Sequence, residues 1–393
     1  MKTLAILGRQ PALGLAELES LFGPEKITPL PGGACLLDMP ASDIPFGRLG
    51  SVVKLGSILA TLDTLEWKKL DAFLVPACKK NSVNVPEGKL TIGISVYGID
   101  VKPDELERTA LNIKKVVKQT GRSVRIVPNK TREISTPQII HNKLTSENGW
   151  ELVLYRDGNK TILMRTDFVQ DIEAYTARDQ ARPMRDAKVG MLPPKLAQTI
   201  INLATGPNQI KDITVLDPFC GTGVLVQETM LMGYKAYGSD LEPRMVDYST
   251  KNIDWLCDQY SWLARGNARL SAGDSTSMLW EKPYDVVACE GYLGIPFAHM
   301  PSPDHLQEAI DGANTVMKGF LKNLAKQVAP GFRACVAMPA WHLPHSVKSL
   351  PCLIKIESMG WKRLRFRHAH PKDLVYRRDD QVVGRELVVL VKM

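Results

Sequence analysis

The chain has 393 residues, of which 44% are hydrophobic, and carries a formal net charge of +8. That length suits roughly two to three domains with ordinary cores, the charge points toward a polyanionic partner, and no uncharged apolar stretch approaches the ~20 residues of a membrane-spanning helix. Cys35, Cys78, Cys220, Cys257, Cys289, Cys335 and Cys352 form no C-x-x-C pair and the histidines no H-E-x-x-H spacing, so no metal centre and no disulfide framework are expected, and a reducing cytoplasm fits best.

In chain order, residues 3–7 read as a strand, too short for a signal peptide because Arg9 follows at once. Pro11 opens a helix with Leu15, Leu18 and Leu21 at helical spacing, closed by Gly23 and Pro24. Strand-like runs follow at 34–37 and 52–59. Residues 1–60 are expected to form a small α/β unit, with the helix serving only in packing.

Residues 61–170 are expected to form a second α/β unit. It holds a helix over 65–73 and a β-branched strand over 90–97. Pro103 starts a helix whose stripe is Leu106, Ala110, Ile113 and Val117. A strand at 124–127, a helix at 136–144 and a hairpin turning at Asp157-Gly158-Asn159 complete it. From Leu111 to Arg132 there is no acid, yet there are Lys114, Lys115, Lys118, Arg122, Arg125, Lys130 and Arg132. This reads either as a solvated face or as an RNA-contacting one.

Residues 171–190 form a polar, basic connector with little periodicity, including Arg178, Arg182 and Arg185. Residues 191–393 form the last domain. Pro193 and Pro194 make a rigid entry turn into a helix. An apolar run then stops at Asp217-Pro218-Phe219-Cys220-Gly221-Thr222-Gly223, and an apolar helix begins at Val224. A strand, a glycine-rich turn and a helix are the parts of a nucleotide-cofactor site in a parallel sheet. The turn lacks both G-x-x-x-x-G-K-[S/T] and a third glycine, so a phosphate cradle is not expected. The next strand ends at Asp240-Leu241, about the ~20-residue offset at which an acid meets ribose hydroxyls. A third strand ends at Asp274-Ser275, where an acid can accept from an adenine amine. Together these strand ends describe an adenosine site.

The Asp217–Gly223 segment resembles motif I of S-adenosylmethionine-dependent methyltransferases, especially those acting on nucleobase amines. With Arg182-Pro183, Leu192-Pro193-Pro194-Lys195-Leu196-Ala197 and Ile201-Asn202-Leu203-Ala204, the chain resembles the THUMP-domain tRNA guanosine N2-methyltransferases, which act near position 10. That resemblance implies a seven-stranded Rossmann-like α/β sheet, mostly parallel with one reversed strand. It also implies ferredoxin-like and THUMP-type α/β domains ahead of the sheet, S-adenosylmethionine as cofactor and tRNA as partner. It leaves room for a small activator subunit, with no segment that specifies one. Strands are expected near 213–216, 235–238, 268–271, 284–289, 332–338, 361–367 and 386–391.

The family's Asp/Asn-Pro-Pro-Tyr/Phe loop after the fourth strand is altered here to Glu290-Gly291-Tyr292-Leu293. A guanine amine is a poor nucleophile, and a carboxylate accepting its hydrogens orients it and stabilises the charge that develops on nitrogen. Glu290 is the expected amine-orienting group, also at the edge of the cofactor site, and Tyr292 the expected stacking partner. Arg365 and Arg367, alternating with apolar residues, are candidates for phosphate. Two alternatives stay open: a methyltransferase for another nucleobase amine, and an inactive RNA-binding protein that retains the fold.

Overall fold

The computed structural model describes residues 2–129, 131–186, 192–207, 212–295, 297, 299–343, 346–378 and 381–393. It has two compact units. One holds the residues up to Pro11, Glu25–Gly47 and Val52–Ala174; the other holds Ala12–Pro24, Arg48–Ser51 and Tyr175–Met393. Among the described residues no helix is long and apolar enough to cross a membrane.

The first half of the chain runs β1 (Thr3–Leu7), α1 (Pro11–Phe22), β2 (Ile27–Leu30), β3 (Ala34–Leu37), β4 (Val52–Leu62), α2 (Trp67–Ser82), β5 (Leu90–Tyr97), α3 (Pro103–Lys118), β6 (Val124–Ile126), α4 (Thr136–His141), β7 (Gly149–Asp157) and β8 (Lys160–Val169). All eight strands join one sheet in the order β2-β3-β1-β4-β8-β7-β5-β6. The expected boundary near residue 60 is therefore not a sheet boundary, because β4 pairs with β1 on one side and β8 on the other. Nor does residues 1–60 stay together, since α1 belongs to the second unit. Within the first unit, α3 buries Leu106, Ala110, Ile113 and Val117, the stripe its spacing calls for, and Pro103 occupies its first turn. Glu151 on β7 is fully buried. It pairs with Lys54 of β4 and accepts from Ser95 and Thr166, each at 2.6 Å, so its charge is met by a cation and two hydroxyls.

The connector is not irregular, as expected, but contains α5 (Ile172–Gln180). Tyr175 is its one buried residue, too few to leave a periodic signal. Then follow α6 (Pro194–Thr205), β9 (Thr214–Asp217), α7 (Val224–Leu231), β10 (Lys235–Asp240), α8 (Pro243–Gln259), β11 (Ala268–Ala272), β12 (Val286–Glu290), α9 (Pro303–Ala325), β13 (Arg333–Leu343), β14 (Ser346–Ser349), β15 (Trp361–Arg363), β16 (Val375–Tyr376) and β17 (Val383–Lys392). The sheet's main path is β11-β10-β9-β12-β13-β17-β15. Strands β9 to β13 are mutually parallel, and β17 runs against β13. Two short strands that were not expected, β14 and β16, flank β13 and β17. The expected strand over 361–367 is cut to three residues. Beyond it the backbone N–H groups of Arg367 and His368 donate to the Glu19 carboxylate of α1 rather than to a strand.

Helix α1 is held in this unit by a second buried acid. Glu17 accepts from the backbone N–H groups of Gly50 and Ser51 and from Asn202 of α6, at 2.8–2.9 Å. The helix packs, as expected, and does so against α6: Leu13 and Ala16 share a core with Leu196, Ala197 and Ile200.

Candidate active site

Parallel pairing aligns the carboxyl ends of β9, β10, β11 and β12, and each ends at or just before an acid. Asp217 closes β9 and Asp240 closes β10; Asp274 follows β11 by two residues, and Glu290 closes β12. The crevice outside such strand ends is where open α/β sheets bind ligands.

The loop after β9 is built for close approach. Gly221 and Gly223 have φ of +51° and +83°, which disfavours any side chain. A Cβ on Gly223 would lie 2.8 Å from Ser249 Oγ of α8, whereas one on Gly221 would point into open space. Gly221 thus lines a cradle that a side chain would fill, while Gly223 lets α8 pack close. Gly221 N–H donates to Asp240 Oδ2 at 2.9 Å, and Glu242 N–H donates to Oδ1 at 3.0 Å. Asp240 therefore ties the loop to the next strand. Phe219 N–H donates to Asp217, which is otherwise sealed from solvent. Burial pushes the Asp217 carboxyl well above its ordinary range, and the nearby Asp240 and Glu290 push it further.

The remaining expected cofactor residues fall around this cradle. Pro218, Cys220 and Thr222 are buried in the loop, and Phe219 packs edge-on to Phe320 of α9. Leu241 is exposed beside Asp240, an apolar surface with nothing over it that suits a flat base. Asp274 is exposed, and its Oδ1 caps its own turn by accepting from Thr276 N–H at 2.8 Å. Ser275 is buried, and its carbonyl accepts from Asn323 of α9. Pro193 caps α6. The donor set, the open cradle and the apolar shelf fit an adenosyl group.

At the end of β12 the altered loop has a physical basis. Gly291 N–H donates to Ala337 O of β13 at 2.9 Å, extending the ladder by one bond. A proline has no such donor. A Cβ at Gly291 would also lie 2.6 Å from Met317 Cε of α9. Glu290 meets Arg385 of β17, whose Nε–H donates to Oε1; among the described residues this is its only hydrogen-bond partner. Burial raises the Glu290 carboxyl above its ordinary value, and the Arg385 charge and hydrogen bond oppose that rise. Tyr292 stands exposed two residues on. Arg385 was missed in the sequence. The signal for it was the pair Arg385-Glu386 at the start of the otherwise apolar β17.

The expected basic residues separate into two groups. Arg178 pairs with buried Glu228 of α7 at 2.8 Å, and Arg182, with a side chain 1% exposed, pairs with Asp179 at 3.0 Å. Arg122 donates to the carbonyls of Ser82, Val85 and Pro86 and to Asn148, tying a loop. These three are internal struts, not an RNA surface. Lys115, Lys118, Arg185, Arg365 and Arg367 are exposed, Lys114 is half-buried, and Arg132 pairs with Asp100 at the surface. Lys130 lies outside the described residues.

A family model described as N6_N4_Mtase, DNA methylase, matches residues 114–251. Three tRNA (guanine(10)-N2)-dimethyltransferases match, two of them as follows. That of Methanothermobacter thermautotrophicus is 27% identical over 50% of this chain and 53% of its own length. That of Pyrococcus abyssi is 39% identical over 16% of this chain and 18% of its own. The chain is similar to the tRNA (guanine(10)-N2)-dimethyltransferases. It spans about half the length, or less, of the curated relatives it matches. Among solved structures, TrmN from Thermus thermophilus superposes with a TM-score of 0.53 and 17% identity over 100% of both chains. A protein described as a possible methylase from Clostridium difficile 630 gives 0.52 and 12%, covering 98% of this chain and 97% of the other. These two likenesses establish the fold, a Rossmann-like methyltransferase sheet preceded by further α/β structure.

Proposed function

We propose that the chain transfers a methyl group from S-adenosylmethionine to the exocyclic N2 amine of a guanosine in tRNA, at position 10 as in the relatives' name. The observation that carries this reading is Glu290: a carboxylate at the end of β12, beside the glycine loop, with Oε2 unpartnered among the described residues. Asp217 and the loop through Gly223 would face the methionine end of the cofactor, with Pro193 against it. Asp240 would bind the ribose, Leu241 would cover one face of the adenine, and Asp274 with Ser275 would meet its edge. When bound, S-adenosylmethionine brings a methyl group on a positively charged sulfur. A positive ligand group near Asp217 would oppose the rise that burial imposes on its carboxyl. Glu290 Oε2 would accept a hydrogen of the guanine amine, aim its lone pair, and meet the positive charge that develops on nitrogen. Tyr292 would stack on the base. The first unit, with α3 facing phosphate, would serve as a THUMP-type tRNA-gripping domain. The seven unpaired cysteines support a reducing compartment such as the cytoplasm.

A second reading, transfer to another nucleobase amine, draws on the replaced prolines of the loop and on the DNA-methylase family model. A purely RNA-binding role leaves the cradle at Gly221 and the acids at three strand ends without a purpose. The test of the leading reading is single-turnover transfer with tRNA and S-adenosylmethionine saturating. Glu290→Gln retains a carbonyl acceptor but no charge, and should bind both ligands while transferring about 10²–10³-fold more slowly. Transfer at the parent rate would remove Glu290 from the chemistry.

A further inference from the structure

Glu290 and Arg385 lie 95 positions apart in sequence and on different strands. Arg385 sits opposite Pro339 of β13 and beside Tyr376 of β16, so its backbone is fixed on both sides. Its side chain is 5% exposed and that of Glu290 is 16% exposed. An ion pair this sheltered is screened little by solvent. The guanidinium reaches Glu290 through Nε and engages one carboxylate oxygen only.

We infer that Arg385 is a positioning residue for methyl transfer, holding Glu290 as an anion with Oε1 committed to the pair and Oε2 turned over to the substrate. The inference rests on the reading of Glu290 as the amine-orienting group. It deepens that reading by naming the base edge the site accepts. An ionised carboxylate accepts hydrogen bonds and donates none. Guanine presents its N2 amine beside N1–H, two donors side by side. Adenine and cytosine present their amines beside a ring-nitrogen lone pair, which a fixed anion repels. A neutral carboxylic acid could serve either edge, and a charged one favours the guanine type. Arg385 thus links strand β17 to the choice of base.

Other charges around Glu290 do not replace Arg385. From β9 the nearest titratable group is Asp217, on which Asp240 of β10 also acts. On its own strand, Cys289 is a buried thiol pushed well up by burial. Its β13 register partner is Ala337, and the α9 side chain over Gly291 is Met317; both are uncharged. Lys195 of α6 lies over the Tyr175 ring. On β17, Glu386 is paired with Arg363, and on β16 the neighbour of Arg385 is Tyr376. Arg385 is the one cation in this set that meets Glu290.

The experiment is the pH dependence of single-turnover transfer in the full chain, with both ligands saturating. Arg385→Gln keeps a hydrogen-bond donor and loses the charge; Arg385→Lys keeps the charge. For Arg385→Gln the acid limb should move up by about one pH unit or more, with transfer recovering toward high pH. Arg385→Lys should keep the parent's limb. A uniform loss for Arg385→Gln at every pH, with the limb unmoved, is the mark of a structural role and overturns the inference. If Arg385→Gln does not fold, carbon-13 spectra of labelled glutamates in the parent, assigned with Glu290→Gln, give the charge directly. An ionised Glu290 at about pH 7 supports the inference, and a protonated one overturns it. The two failures are separable. Glu290→Gln at the parent rate sinks the reading of Glu290 itself. A slow Glu290→Gln beside an Arg385→Gln that matches the parent sinks only the role of Arg385.

Discussion

Asp217 shows what a buried acid does before its ligand arrives. Burial and two neighbouring acids raise its folded value, so the fold favours the protonated form. Its contribution to stability is therefore complete below the ordinary carboxylate pKa, about 3.9, and is lost as pH rises through the raised folded value. Asp217→Asn removes that pH-dependent loss. In the ligand-free protein, the melting temperature of the variant relative to the parent should rise between about pH 5 and pH 8. An equal gap at both ends would contradict the burial account. The same variant should bind S-adenosylmethionine more weakly, because a neutral amide cannot meet a positive ligand group as a carboxylate does. Asp217, Asp240 and Glu290 were legible in the sequence because each ends an apolar run, and a carboxylate is costly further inside. Arg385 was not, because its partner lies on another strand and the charged Arg385-Glu386 pair opening β17 does not say which acid it meets. Arg178 was misread for the same reason, whereas the partner of Arg182, Asp179, lies three residues away. Glu228, one acid inside the otherwise apolar start of α7, was the sign that a cation must come to meet it.

At the scale of elements, apolar runs at the strand positions and Pro194 at the start of α6 were the legible parts of the second unit; prolines at other helix starts were there to be read. Pro243 and Pro303 open α8 and α9, and Val286-Val287 opens β12. What escaped were elements whose partners are remote. Helix α1 looks like a neighbour of β1 and β3, but its Glu17 is satisfied by residues near 50 and by Asn202. Helix α5 buries only Tyr175, so its amphipathic signal is weak. Helix α3 offers the cleanest functional test at this scale. Its buried stripe leaves Lys115 and Lys118 exposed with Lys114 beside them. Replacing the three with Gln should flatten the dependence of log K for tRNA on log salt by about two to three, since each lost phosphate contact lowers the slope by about 0.7–0.9. Calorimetry should show S-adenosylmethionine binding unchanged. An unaltered salt slope would make this face a merely solvated one.

At the scale of the whole molecule, the strand-end acids and the exposed lysines of α3 fall in different units. The acids, the glycine cradle and the Glu290–Arg385 pair all belong to the second unit. The uninterrupted basic stretch of α3 belongs to the first. The mostly parallel sheet with β17 reversed was foreshadowed by the succession of apolar runs and the resemblance at Asp217–Gly223, but its order β11-β10-β9-β12-β13-β17-β15 was not read from the sequence. The joining of the two N-terminal segments into one sheet was not foreshadowed, since strand pairing between residues about 100 positions apart leaves no local pattern. The central claim is that this chain methylates a guanine amine in tRNA, and one measurement meets it directly: tRNA lacking the modification is incubated with the full chain and methyl-labelled S-adenosylmethionine, digested, and its nucleosides are resolved by mass spectrometry. The account predicts labelled N2-methylguanosine or N2,N2-dimethylguanosine, abolished in Glu290→Gln. Label on N6 of adenosine, or no label in any nucleoside although S-adenosylmethionine binds, would contradict it.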